Sequence, residues 1–337
     1  MTLDDRIRAL RPLGFSPRQT HFLALVALHG GVCLRRQYGT FAGLRGKGSW
    51  VKFFRRLVDR KIVRPINFRR DRGPVYRLQT RRLYTLIGQA DKSNPCSSSA
   101  AAIARKVMVF DYLLSQPDLE WYGTAEDKAT LFTVRFGVKP MDLPQHVVSG
   151  HRIRPATIRY FVHKLPIGLQ SSPLRSTFVF LMTDLAGRGF ERFLRDHVQL
   201  LNALATWRLV VVAPRHVPGW PACQRAVDRV IGDLARSRGA DDIDQLQQYF
   251  QVLDLVERDQ LHTISTTDVD RFRDQRRRFK GQEFEVLFER WKTEGAHALA
   301  GCCAPNFLAA LESGDGQITT YELPVSYDRF GTRPGIS

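Results

Sequence analysis

Ten side chains in the first quarter of the chain point to one kind of chemistry. Lys47, Ser49, Lys52, Arg55 and Arg56 fall within ten residues, Arg69, Arg70 and Arg72 within four, and Arg35 and Arg36 are adjacent. A guanidinium is a permanently charged fork of donors that fits a phosphate or the O6/N7 edge of guanine. An ammonium or hydroxyl suits phosphate oxygens. The set supplies donors and positive charge, so it is suited to holding an anionic polymer rather than to breaking bonds.

Residues 1–88 hold 20 Lys and Arg against 4 Asp, which is +16 of the net +18; the remaining 249 residues hold 31 against 29. A solubilising surface would spread its charge. Confinement to one segment instead resembles an electrostatic footprint for a phosphate backbone, whose binding releases counterions whatever the base sequence.

These side chains need elements to present them. A short helix is expected near residues 4–10. Ser16 and Pro17 read as an N-cap and first helical residue, with Gly30 and Gly31 as the stop. A second helix over 34–42 carries Arg35 and Arg36. Gly43, Gly46 and Gly48 punctuate a turn ending at Ser49, read as the next N-cap. From 50 to 61 the apolar residues Trp50, Phe53, Phe54, Leu57 and Val58 make one stripe, with Lys52, Arg55, Arg56 and Arg60 off it. Base stacking by Trp50, Phe53 and Phe54 is disfavoured by that spacing, which is that of a buried face. Two β-prone runs, 62–68 and 74–78, surround the polar tip carrying Arg69, Arg70 and Arg72, and a helix over 81–87 closes the segment.

The order helix, helix, basic helix, hairpin, together with Ser49 to Arg64 and the run Tyr76-Arg77-Leu78-Gln79-Thr80, resembles the winged helix-turn-helix superfamily and its MarR-like regulators. The resemblance implies double-stranded DNA as partner. A recognition helix over 49–60 would present Lys47, Ser49, Lys52, Arg55 and Arg56 to the major groove, and the wing tip would reach the backbone or the minor groove.

Residues 89–100 are small, polar and broken by proline, and are expected to link this unit to a second, residues 101–337. There helices over 101–115 and 124–133 precede strand-like runs at 158–162, 177–182 and 209–212. A helix lies over 189–206, further helices over 219–237, 242–258 and 267–295, and a late edge strand at 318–323. The expected fold class is α/β, or α+β over the whole chain: an N-terminal winged helix-turn-helix, then a mixed α/β domain with a small sheet and long C-terminal helices. This second unit distantly resembles the nuclease-like domain of the replication-relaxation proteins of plasmids and integrative elements. Active members of the nuclease superfamily hold a metal through an acid on one strand and Glu-x-Lys on the next. Here Asp184 and Lys164 stand at strand ends with no such motif, so no catalytic residue, metal or cofactor is expected. The open alternatives are a metal-dependent nuclease and a DNA-contacting scaffold subunit.

Other chemistry is thin. His146 and His151 read as loop, no G-x-x-x-x-G-K-[ST] occurs, and the five cysteines include no C-x-x-C. Arg276, Arg277, Arg278 and Lys280 are flanked by Asp270, Asp274, Glu283 and Glu285, which predicts intrahelical ion pairs. No secretory leader, membrane span or small-molecule site is evident, so a cytoplasmic protein is expected. The role expected is a sequence-specific regulator or a replication or transfer accessory factor of a mobile element. It would act as a homodimer or with a protein partner through the C-terminal domain.

Overall fold

The computed structural model describes residues 1–44, 48–68, 73–90, 99–148, 157–182, 187–215, 220–236, 240–258, 266–295, 297–300, 304–327 and 330. The chain is mixed α/β, with small sheets and a helical C-terminal region.

The first helix, α1 (Leu3–Ala9), opens with a reciprocal cap in which Thr2 and Asp5 each accept the other's backbone N–H. Ser16 and Gln19 repeat the device at α2 (Pro17–Leu28), with Pro17 at the first helical position. Gly30 and Gly31, at φ 127° and 71°, turn the chain into β1 (Val32–Cys33). Then come α3 (Arg35–Ala42), α4 (Gly48–Asp59), β2 (Val63–Ile66), β3 (Val75–Leu78) and α5 (Arg81–Leu86). The strands form an antiparallel sheet in the order β1-β3-β2, with Val32 opposite Arg77 and Val63 opposite Leu78. Ser49 is not an N-cap: α4 begins at Gly48, which follows the helical backbone and places Ser49 second in the helix.

Of the segment expected as a linker, residues 91–98 lie outside the described residues. Ser99 caps α6 (Ala100–Leu114). Next come β4 (Glu120–Tyr122) and α7 (Ala125–Thr130), capped by Thr124 and continued by a π turn over Leu131–Arg135. The strands β5 (Gln145–Val148) and β6 (Thr157–Tyr160), the second overlapping the run read as a strand at 158–162, form a separate two-stranded antiparallel sheet. The sheet strands β7 (Ile167–Ser171) and β8 (Leu174–Leu181) follow, then α8 (Arg188–Asn202) and β9 (Trp207–Pro214). The chain then runs through α9 (Trp220–Arg236), α10 (Ala240–Glu257), α11 (Thr266–Arg278), α12 (Gln282–Glu294), α13 (His297–Ala300) and α14 (Pro305–Ser313), and returns as β10 (Gly316–Leu323). The helix expected over 267–295 is thus two helices, interrupted at 279–281. Phe279 turns into the helical core there, and Gly281 provides an extended backbone that ends the run.

The main sheet has the order β10-β9-β8-β7-β4; β8, β9 and β10 are parallel and the other pairs antiparallel. Its two central strands are buried on both faces, and their period of two divides the core. Phe178, Phe180, Leu209 and Val211 face a cluster shared with Phe190, Phe193 and Leu194 of α8 and Phe307 of α14. Val179, Leu181, Val210 and Val212 face the other way, into a cluster that holds α6 and the apolar stripes of α2 and α4. One continuous core therefore takes residues from both sides of 91–98. A separate small cluster, Leu246, Tyr249, Phe250, Phe279, Phe288 and Leu299, holds α10 to α13 together. Among the described residues no helix is long and apolar enough to cross a membrane.

Candidate nucleic-acid interface

Helices α3 and α4 meet at a glycine. A Cβ on Gly39 would lie 1.9 Å from the ring of Trp50, so the indole occupies the place of a side chain and lets the two helices approach. Phe53, Phe54 and Leu57 are buried along the same face of α4, as the apolar stripe predicts. Phe53 lies 4.6 Å from Tyr38 of α3, and Phe54 4.4 Å from Tyr76 of β3, ring centre to ring centre. Aromatic packing thus fixes α4 between α3 and the sheet, and Lys52, Arg55, Arg56, Asp59 and Arg60 are left exposed.

The exposed cations fall into two groups. Arg56 donates to the carbonyl of Gly14 at 2.8 Å and Arg60 to that of Leu13 at 2.6 Å, and both guanidinium groups lie over the Phe15 ring, at 4.8 and 5.4 Å. These two arginines secure α4 to the connection between α1 and α2. Lys52 and Arg55 make no hydrogen bond or ion pair among the described residues, and their charge stays available to solvent.

Arg35 and Arg36 separate likewise. Arg35 is exposed, with its guanidinium 5.2 Å above the Tyr76 ring. Arg36 is a fork-to-fork partner of Asp111 on α6, at 2.6 and 2.5 Å. Sequence spacing placed both among the binding residues because the partner of Arg36 is 75 positions away. Lys47, Arg69, Arg70 and Arg72 lie outside the described residues.

Three cations that spacing did not single out, Arg64, Arg77 and Lys106, belong to the same region. In the register of the β2–β3 pair Arg64 stands directly opposite Arg77, an arrangement of like charges that is unfavourable unless anions attend it. Knowing the hairpin register would have revealed it. Lys106 of α6 is held below the ordinary lysine range, first by burial and then by the charges of Arg77 and Lys164.

Of the residues weighed for a nuclease site in the second region, only one falls among the described residues. Asp184 lies outside them. Lys164 is exposed at φ 53°, in the connection between β6 and β7. No group of three or more His, Cys, Asp or Glu able to hold a metal occurs among the described residues. His163 Nε2 meets Asp196 at 2.7 Å beside a cavity of about 10 Å³ lined by Lys128, Phe161, Phe193 and His197, room for one water. His146 is part of β5, and His151 lies outside the described residues, as do Cys96, Cys302 and Cys303. Cys33 and Cys223 are buried thiols outside any disulfide, and burial pushes the Cys33 thiol well above its usual range.

Comparison with protein-family models, with curated proteins and with solved structures finds no match for this chain.

Proposed function

We propose that residues 1–88 are a winged helix-turn-helix that binds double-stranded DNA, with α4 as the recognition helix and the β2–β3 hairpin as the wing. The observation that carries this reading is the pairing of an aromatic inner face on α4 with outward Lys52 and Arg55, in a segment holding +16 of the chain's +18. A helix locked on one side and cationic on the other can enter a major groove without rearranging. The antiparallel β1-β3-β2 sheet and the α3–α4 crossing at Gly39 support it.

In this reading Lys52 and Arg55 meet base edges or the flanking phosphates, Arg35 and Arg64 the backbone, and Arg69, Arg70 and Arg72 the adjoining groove. Arg36 and Arg56 position the helices instead. The biological role we infer is a sequence-specific regulator or a replication or transfer accessory factor of a mobile element.

Selection of bound duplexes from a random pool, at fixed salt, tests the proposal. Enrichment of a common motif supports base reading by α4. Uniform recovery limits the protein to phosphate contact, because backbone binding carries no base preference. Failure to retain any duplex overturns the proposal.

A further inference from the structure

The C-terminal half of α11 carries Arg276, Arg277 and Arg278, with Lys280 just beyond its end. Flanking acids predict intrahelical pairing; the Glu283 side chain lies outside the described residues, and the helix shows pairs nearer its start. Asp268 faces Arg271 at 3.9 Å and Asp270 faces Arg273 at 3.3 Å, both nearer the helix start. Arg276, Arg277 and Lys280 are exposed and make no hydrogen bond or ion pair among the described residues.

A groove of about 570 Å³ runs beside these cations, between α10 and α11, lined by Gln245, Gln248, Arg271, Asp274, Gln275 and Arg278. Across it Arg278 donates to Gln245 Oε1 at 2.8 Å and Arg271 to Gln248 Oε1 at 3.5 Å. The facing helix thus meets these arginines with amides, while Arg271 also faces Asp268 on its own helix. Gln275 is 6% exposed, and its Nε2 has no hydrogen-bond partner among the described residues. An unsatisfied buried donor at a groove edge favours an acceptor there. Asp274 is the carboxylate on the lining and opposes an anion at that point.

Cations at a helix C-terminus also complement the helix dipole, which accounts for one or two of them. That effect does not require three exposed cations, Arg276, Arg277 and Lys280, that make no ion pair among the described residues. At about 100° per residue Arg276, Arg277 and Arg278 point in three successive directions, so they ring the end of the helix rather than line one face. A strand crossing that end transversely meets them in turn.

We propose that the end of α11, with its groove, is a second contact for a phosphodiester backbone, remote in sequence from residues 1–88. The inference rests on the reading that the chain binds nucleic acid. It assigns the C-terminal helices a part in holding the same polymer, as duplex or as single strand.

The test is equilibrium binding of the full chain to a long duplex, a short duplex and a single strand over a range of salt. The variants are Arg276→Glu/Arg277→Glu/Lys280→Glu, its milder counterpart Arg276→Gln/Arg277→Gln, and separately Lys52→Ala/Arg55→Ala. Thermal midpoints confirm that each variant folds. Three lost phosphate contacts lower the slope of log K against log salt by about 2 to 3 on whichever long polymer is bound, and leave the short duplex unchanged. A larger loss on the single strand than on the duplex identifies that form as the ligand. Wild-type affinity and slope on both long polymers, in both α11 variants, overturn the proposal. If the α4 variant alone loses binding, the α11 site fails and the N-terminal reading stands. If the α11 variants alone lose it, the reverse holds.

Discussion

Arg36 of α3 and Asp111 of α6 form a fork-to-fork ion pair, and Asp111 is its hub. The same carboxylate accepts from Gln37 Nε2 at 2.9 Å and from the Tyr327 hydroxyl at 2.5 Å, which joins three parts of the chain at one side chain. Gln37 also donates to the Val107 carbonyl, and its own oxygen accepts the Leu34 N–H that opens α3. Burial, and then the Asp111 charge, raise the Tyr327 phenol well above its ordinary range, so it remains a donor. The helix that supports α4 is therefore anchored to the core of the sheet.

Asp111→Asn is expected to destabilise the fold by about 2 kcal/mol, the scale of hydrogen bonds to a charged group. Urea denaturation measures the loss. A double-mutant cycle with Arg36→Ala separates the pair's coupling from that of Gln37 and Tyr327. Additive losses in that cycle would show that the pair contributes nothing of its own.

Arg55→Ala is expected to weaken DNA binding by about 1 to 3 kcal/mol at one base position if α4 reads bases, while Arg56→Ala acts chiefly on stability. Fluorescence anisotropy on matched and mismatched duplexes, beside thermal midpoints, distinguishes the two. The assignment of Arg56 to positioning fails if its removal reduces affinity as much as that of Arg55 and leaves the midpoint unchanged.

Gly39→Ala places a methyl group in the Trp50 ring. Overpacking of this kind costs roughly 1 to 3 kcal/mol, against the gain of under about 1 kcal/mol that alanine brings to an open helix position. Trp50→Ala in the same chain should recover much of the loss by opening the space. A Gly39→Ala variant as stable as the parent would show that the indole can move aside.

His197 is buried beside Phe193, with ring centres 4.0 Å apart, and its Nδ1 bonds the Phe193 carbonyl at 2.8 Å. Burial pushes its imidazole down to about 3 from an ordinary 6.5. Between these values the unfolded chain binds a proton that the folded chain refuses, so stability falls as pH drops from about 6.5 toward about 3. The limiting slope is about 1.4 kcal/mol per pH unit. Above pH 6.5 both states are neutral and the dependence from this group vanishes. Denaturant midpoints across that window, for the parent and for His197→Phe, test it. Parallel pH profiles would remove His197 as the cause.

The Asp127 carboxyl is raised by burial, but hydrogen bonds from Arg6 and Thr124 and the Arg6 charge leave it below its ordinary 3.8. The Arg6 pair, at 2.8 Å on both oxygens, thus stabilises fully above pH 3.8 and is lost as pH falls through the lower folded value. The stability difference between the parent and Asp127→Asn should accordingly shrink below about pH 4, and a constant difference would argue against the pair.

Local signals determined much of this molecule. Ser16 and Pro17 with Gln19, Thr124 with Asp127, the stripe of α4 and the glycine stop after α2 all act between residues a few positions apart, so they are present in the sequence before any folding. The uneven charge is likewise a property of composition. Strands β4 and β7 carried no such signal: Glu120–Tyr122 is too short to show alternation, and Ile167–Ser171 is interrupted by Gly168. That glycine belongs there because its partner across the register, Trp121, fills the space, and a Cβ would lie 3.0 Å from the indole.

Which arginines remain free was decided by tertiary structure. Arg36 finds Asp111 and Arg56 finds Gly14 only when the chain closes, whereas Arg55, Arg276 and Arg277 make no hydrogen bond or ion pair among the described residues. Spacing along a helix assigns a side chain to a face. What stands opposite that face depends on residues tens of positions away, and this is why the charged cluster was legible in the sequence and its division into positioning and exposed residues was not.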